Sequence, residues 1–224
     1  DHVFNYMTEK ISSGEWKPEM KISTEEQLCS ELNVSRIAVR QALEKLSALS
    51  VLKKMRGSGT YVNRFDDASL MGLVYYPPTY ETMLTVLEFR RMFDPYNAQI
   101  FTLHATKEEV ERLSDNYQRM VKCEDDMQEF RNCDNEFHHV IALGTHNTLI
   151  IQISNILTEL LCNYQTAQYQ NVGPAHAIKW HKMILDAIID GNDELANLYA
   201  KIHIDNAIKS LHQKNRRVVN DPDA

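Results

Sequence analysis

From Tyr80 to Leu211 apolar residues recur at the 3.6-residue period of an α-helix almost without a break. No alternating strand pattern interrupts this run, and only 7 Gly and 6 Pro among 224 residues leave little room for loops. The periodicity divides into helices near 81–103, 107–122, 125–143, 147–169, 174–190 and 193–212. Turn signals at Ala105-Thr106, Gly144, Gly173-Pro174 and Gly191 separate them. Helices with one apolar stripe each bury it only against one another, so an all-α bundle is expected.

Upstream the pattern changes. Val3, Met7 and Ile11 mark a first helix, and Ser23-x-x-Glu26 reads as a capping box opening a second, with Leu28 and Leu32 inward. Ser35 is a candidate N-cap for a third helix whose apolar side is Val39, Ala42, Leu43 and Leu46. Arg36 and Arg40, four apart, project together beside that stripe. Two short β-prone runs follow, Val51 to Met55 and Thr60 to Val62, around Arg56-Gly57-Ser58-Gly59. That is a hairpin signal, and a helix followed by a basic hairpin tip is the order of a winged helix-turn-helix.

Charge follows the same division. Residues 33–64 carry seven Lys/Arg and one acid, a net of +6, in a chain whose formal charge is −7. Residues 1–64 hold ten basic and eight acidic side chains, whereas the remainder holds 14 and 23. A basic segment on an acidic chain is an electrostatic footprint for phosphates. No apolar run reaches the ~20 residues needed to cross a bilayer, and the chain opens on an amphipathic helix pattern rather than a signal peptide. Cys29, Cys123, Cys133 and Cys162 show no Cys-x-x-Cys spacing and read as reduced thiols of a cytoplasmic protein.

Inside the helical segment, four ionisable residues interrupt apolar stripes. Asp134 and His138 lie between Phe130, Phe137 and Ile141; His181 sits among Ile178, Ile184, Leu185 and Ile188; His203 sits among Ala196, Tyr199, Ala200, Ala207 and Leu211. An unpaired buried carboxylate is costly, so Asp134 needs a partner. Two partners serve: a hydrogen-bonded pair with His138, or a divalent metal shared with the three imidazoles. Arg90 is a second anomaly, placed on a buried face by Met83, Val86, Leu87 and Phe93. A guanidinium there wants a carboxylate, either an internal acid or a ligand's. His104, His139, His146, His176 and His212 lack such stripes and read as surface or cap residues.

These residues carry a resemblance. Val34-Ser-Arg-x-x-Val-Arg-x-Ala-Leu-x-x-Leu46 and the Gly57-x-Gly-Thr-Tyr-Val62 wing resemble the GntR family of bacterial transcription regulators. Ile11-Ser-Ser-Gly-Glu-Trp-Lys-Pro18 and Glu25-Glu-Gln-Leu28 fit its first two helices. The resemblance implies that Ser35, Arg36 and Arg40 touch operator phosphates and bases, with Arg56 and Gly57 at the wing tip. Glu26 departs from a base-contacting arginine seen in several members, and Ser50 from a usual glycine. The bundle is similar to the FCD domain of the FadR branch, whose metal-binding members share Asp-x-x-x-His, a later His, and a final His 22 residues on. Asp134, His138, His181 and His203 match that pattern, and Glu88-Phe-Arg90-Arg-Met-Phe-Asp94-Pro95 matches another whose arginine lies in the effector pocket.

The expectation is a mainly α chain. Residues 1–64 form the winged helix-turn-helix, 65–79 a linker with one short helix, 80–212 the metal- and effector-binding bundle, and 213–224 a frayed tail. It would act as a homodimeric repressor that reads a palindromic double-stranded DNA operator. It would hold a divalent ion (zinc, or else nickel, manganese, iron or cobalt) and be released by a small carboxylate that meets Arg90. Three alternatives stand beside it: a purely structural metal, a metal-dependent enzyme acting on an organic acid, and a metal-free acyl-thioester sensor. Against the enzyme, no His-Glu-x-x-His glutamate is near the site, and a DNA-reading head has no enzymatic use.

Overall fold

The computed structural model describes residues 2–164 and 174–220, which divide into two compact units, Asp1–Pro78 and Thr79–Ala224. The part of the fourth bundle helix expected over 165–169 lies outside the described residues.

The first unit holds α1 (His2–Ser12), α2 (Glu25–Leu32), α3 (Arg36–Ala48) and a hairpin of β1 (Leu52–Met55) and β2 (Gly59–Val62). α2 starts one residue later than the Ser23 box implies. Thr24 Oγ1 accepts the Gln27 amide, and Gln27 Oε1 accepts the Thr24 amide at 2.8 Å. This register leaves Glu25 and Glu26 in the first turn, where carboxylates meet the positive end of the helix dipole. Asn33 takes a left-handed φ of 51° to turn the chain into α3. Val39, Ala42 and Leu46 then pack with Met7, Ile11 and Leu28 into one core. Ser50 also sits at a positive φ, 54°, so the bend before the wing keeps the left-handed geometry that favours glycine.

β1 and β2 pair antiparallel with Leu52 opposite Val62 and Met55 opposite Gly59. Gly57, at φ +75°, supplies the turn at the tip. A single bridge from Lys21 to Tyr61 adds a third edge to the hairpin. One bridging residue leaves no periodic signal, and the sequence does not announce it.

Residues 65–78 do not form a free linker. They make two 3₁₀ turns, Phe65–Asp67 and Leu70–Tyr75, and fold back on the winged core. Tyr76 is buried and donates its hydroxyl to the carbonyls of Asn63 and Arg64, and Ser69 donates to the Leu49 carbonyl at 2.8 Å.

The second unit is α4 (Tyr80–His104), α5 (Lys107–Lys122), α6 (Met127–Leu143), α7 (Thr148–Tyr164), α8 (Pro174–Ile189) and α9 (Asp193–Asn220). α4 packs on α9, α6 and α8; α5 packs on α6 and α8; α6 packs on α7. Phe101, Leu113, Met120, Phe137 and Ile184 are fully enclosed in its core. α9 continues eight residues past His212, where a frayed tail was expected. Gln213, Lys214 and Arg216 are polar but are good helix formers, so polarity alone misread them.

Candidate metal centre and nucleic-acid interface

α6, α8 and α9 bring Asp134, His138, His181 and His203 together. One potential ligand atom from each lies within 4.8 Å of the other three. The Nε2 atoms of His181 and His138 are 3.1 Å apart, and His181 Nε2 is 3.5 Å from Asp134 Oδ1. An ion ~2.1 Å from each ligand would separate neighbouring ligands by about 3.0–3.4 Å, so the 3.1 Å pair has that spacing and the 3.5 Å pair lies just outside it. His181 Nδ1 lies 2.8 Å from the Ala177 carbonyl, which leaves Nε2 turned toward the other three. Nδ1 of His203 is buried without a hydrogen-bond partner among the described residues. Burial pushes the imidazoles of His138 and His203 well below the ordinary histidine range and lowers that of His181. The Arg90 guanidinium adds to the effect on all three. Three neutral imidazoles and a carboxylate around an orphaned buried nitrogen are a donor set that fits a divalent cation.

Arg90 meets an internal acid. Its Nε and one terminal nitrogen reach Asp94 Oδ2 at 2.8 and 2.7 Å, with both side chains buried. The same oxygen stands 3.4 Å from His138 Nδ1. Burial raises the Asp94 carboxyl above its usual range, and the guanidinium opposes that rise. Asp94 therefore links the arginine to the back of a ligand imidazole, a role that had not been assigned to it. The signal was available: Arg90 and Asp94 are four apart on one helix face.

Arg90 also borders a cavity between α4, α6, α8 and α9, of about 820 Å³ including its solvent mouth. Asp134 and His203 share its wall with Met83, Leu87, Phe130, Ile204, Ala207 and Leu211. His176, Ser210 and Lys214 line it as well. His176 was expected at the surface without a role, and Lys214 falls in the expected tail.

In the first unit, Ser35 caps α3 by accepting the Ala38 amide at 3.2 Å. Its own hydroxyl proton remains a potential donor, since a hydroxyl both donates and accepts. Arg36 and Arg40 are exposed on the first turns, and Ile37 between them is 70% exposed. An apolar side chain there is suited to a thymine methyl in a major groove, a feature the charge pattern could not reveal. Arg40 Nε is 2.8 Å from Glu25 Oε2, and Lys54 Nζ is 3.7 Å from Glu25 Oε1. Arg56 and Gly57 are exposed at the hairpin tip.

Comparison with known proteins covers both units. Residues 1–62 match the model of bacterial regulatory proteins of the gntR family, and residues 85–206 match that of the FCD domain. The chain is 25% identical over 208 residues to the HTH-type transcriptional regulator LutR of Bacillus subtilis, covering 88% of this chain and 93% of that one. It is 24% identical over 216 residues to the Glc operon transcriptional activator of Escherichia coli, covering 90% and 84%. The fold is similar to that of Lar, which controls the Listeria monocytogenes agr system, with a TM-score of 0.73, 18% identity and 95% of each chain covered.

Proposed function

The chain belongs to the gntR family of DNA-binding transcription regulators, with an FCD effector domain, and from that premise we propose a metal-containing, acid-responsive homodimeric repressor. The observation that carries the proposal is the convergence of Asp134, His138, His181 and His203 on one point with all three imidazoles held neutral. Separate buried hydrogen bonds would need a separate reason at each of four positions, and they leave His203 Nδ1 orphaned. A single ion accounts for all four. Zinc suits a three-nitrogen, one-oxygen set, and nickel, cobalt, iron and manganese accept it too. Bound there, the ion supplies a Lewis-acidic seat for a carboxylate oxygen. Arg90 borders the same cavity and is assigned to orient that carboxylate, itself held in place by Asp94.

DNA reading is assigned to Ser35, Arg36, Arg40, Arg56 and Gly57. Ser35 and Arg36 stand at the N-terminus of α3, whose dipole and free amides favour phosphate. Two such heads in a dimer match a palindrome. Repression is the simpler sign, because a bound dimer blocks a promoter without a further contact surface; the relative named as an activator shows the other sign within the family. No described helix is long and apolar enough to cross a membrane. A cytoplasmic location is assigned from the DNA it would read.

Elemental analysis of gently purified protein, followed by a thermal-shift screen of organic acids with and without chelator, tests the reading. About one ion per chain and an acid-induced shift that needs the ion are expected. No metal, and no uptake of zinc, nickel or manganese, would defeat the site. A loaded protein indifferent to every carboxylate would leave a structural ion.

A further inference from the structure

The cavity beside the metal centre also says what kind of acid fits it. We propose that its ligand is a monocarboxylate with a hydrocarbon body, a medium-chain or aryl-alkyl acid rather than a hydroxy, sugar or dicarboxylic acid. This rests on the effector reading above and sharpens it.

Two observations carry the inference. The first is charge. Imidazoles that ligate are neutral, Asp134 contributes one negative charge, and Arg90 and Asp94 cancel each other through their ion pair. One divalent ion then leaves the floor with a single positive charge, which one carboxylate neutralises. The second is the wall. Beyond Asp134, His203 and Arg90, most of the wall is apolar, formed by Met83, Leu87, Phe130, Ile204, Ala207 and Leu211, with His176, Ser210 and Lys214 as its polar members. The six apolar side chains form no normal hydrogen bond, so a hydroxyl of a sugar acid that faces them would lose water without replacement. The most distant cation on the lining, Lys214, stands 11 residues from His203 along α9, about 16 Å of helix at 1.5 Å per residue. A short dicarboxylate seated at the floor would set its second charge among mostly apolar side chains, with that lysine anchored about three turns further along α9. Ala207 matters most among the wall residues. It is the smallest of the six side chains and lies one turn beyond His203, so a larger residue there would fill the space directly above the floor.

The test uses the zinc-loaded full chain and titration calorimetry. Acetate, butanoate and hexanoate form a length series, with 3-phenylpropanoate as an aryl-alkyl acid and lactate, succinate and gluconate as polar competitors. Affinity is expected to rise about fourfold per methylene from acetate to hexanoate, the effect of burying one CH₂. 3-Phenylpropanoate should bind as tightly as hexanoate or more so, and the polar acids should bind no better than acetate. In Ala207→Phe, with zinc content checked, the hexanoate-to-acetate affinity ratio should fall at least tenfold. The wild-type length series stands independently if that variant does not fold. Lactate, succinate or gluconate binding more tightly than hexanoate, or an affinity flat with chain length, overturns this inference and leaves acid sensing intact. Binding of no acid at all removes the effector reading together with it.

Discussion

At the scale of single residues, exposure divides the two arginines of α3 from the one in the bundle. Arg36 and Arg40 are exposed where a groove would receive them, and an arginine that reads a base edge contributes about 1–3 kcal/mol. Arg36→Ala and Arg40→Ala should each weaken operator binding by that amount in a fluorescence-anisotropy titration, with the fold intact by circular dichroism. Unchanged affinity in both would remove α3 from the groove. Arg90 is the opposite case: its charge is buried at 3% exposure and matched by Asp94. Asp94→Ala would leave a buried guanidinium without that carboxylate, which costs about 3–5 kcal/mol. It would also remove the oxygen beside His138, and losing such support lowers metal affinity about 10–100-fold. Denaturant unfolding and competition with a metal indicator measure the two effects separately. A variant as stable and as metal-avid as the parent would show that Asp94 does neither job.

At the scale of elements, Glu25 of α2 ties Arg40 of α3 to Lys54 of β1. A phosphate must compete with that carboxylate for Arg40. Glu25→Gln should therefore free a cation, and the slope of log affinity against log salt should steepen by up to about 0.9, the counterion share of one further phosphate contact. A slope unchanged within error would mean that Arg40 already leaves Glu25 at no cost. α4 poses a different question. Phe89, Met92, Tyr96 and Leu103 lie on one side of it at helical spacing, and Met92 is 72% exposed. An apolar stripe of that length on a charged protein suits contact with a second copy, the occupant that the proposed palindrome-reading dimer requires. Met92→Glu with Tyr96→Glu should shift the protein from dimer to monomer in sedimentation at micromolar concentration. A persistent dimer would place the interface elsewhere, and a monomeric parent that still binds its operator would remove the dimer altogether.

At the scale of the whole molecule, the acidic bundle and the basic winged unit keep their chemistries apart. Binding to a folded state stabilises it by RT ln(1 + [L]/Kd), about 4 kcal/mol when free ion is a thousandfold above Kd. Stripping the ion with a chelator should accordingly lower the bundle's melting transition by several degrees, and restoring zinc should return it. His181→Ala should start at the lowered value and ignore zinc. A melting curve indifferent to chelator would leave Asp134 and the three histidines as a hydrogen-bonded cluster.

The sequence by itself determined the helical bundle, the winged head and the four residues that interrupt apolar stripes. Each of these is a local periodic or chemical signal: a 3.6 repeat, a basic hairpin after a capped helix, an ionisable group where packing expects carbon. Asp134 and His138 were paired by their spacing alone. That His181 and His203 face the same point was one of two readings the stripes left open, favoured by resemblance, because distances between α6, α8 and α9 are set by packing and not by any period. Tertiary structure alone decided the rest. It folded residues 65–78 onto the winged core and set Lys214 and His176 on the cavity wall. The physical reason is common to all of them. A side chain's partner across helices depends on how two surfaces interlock, and that information belongs to no single segment of the chain.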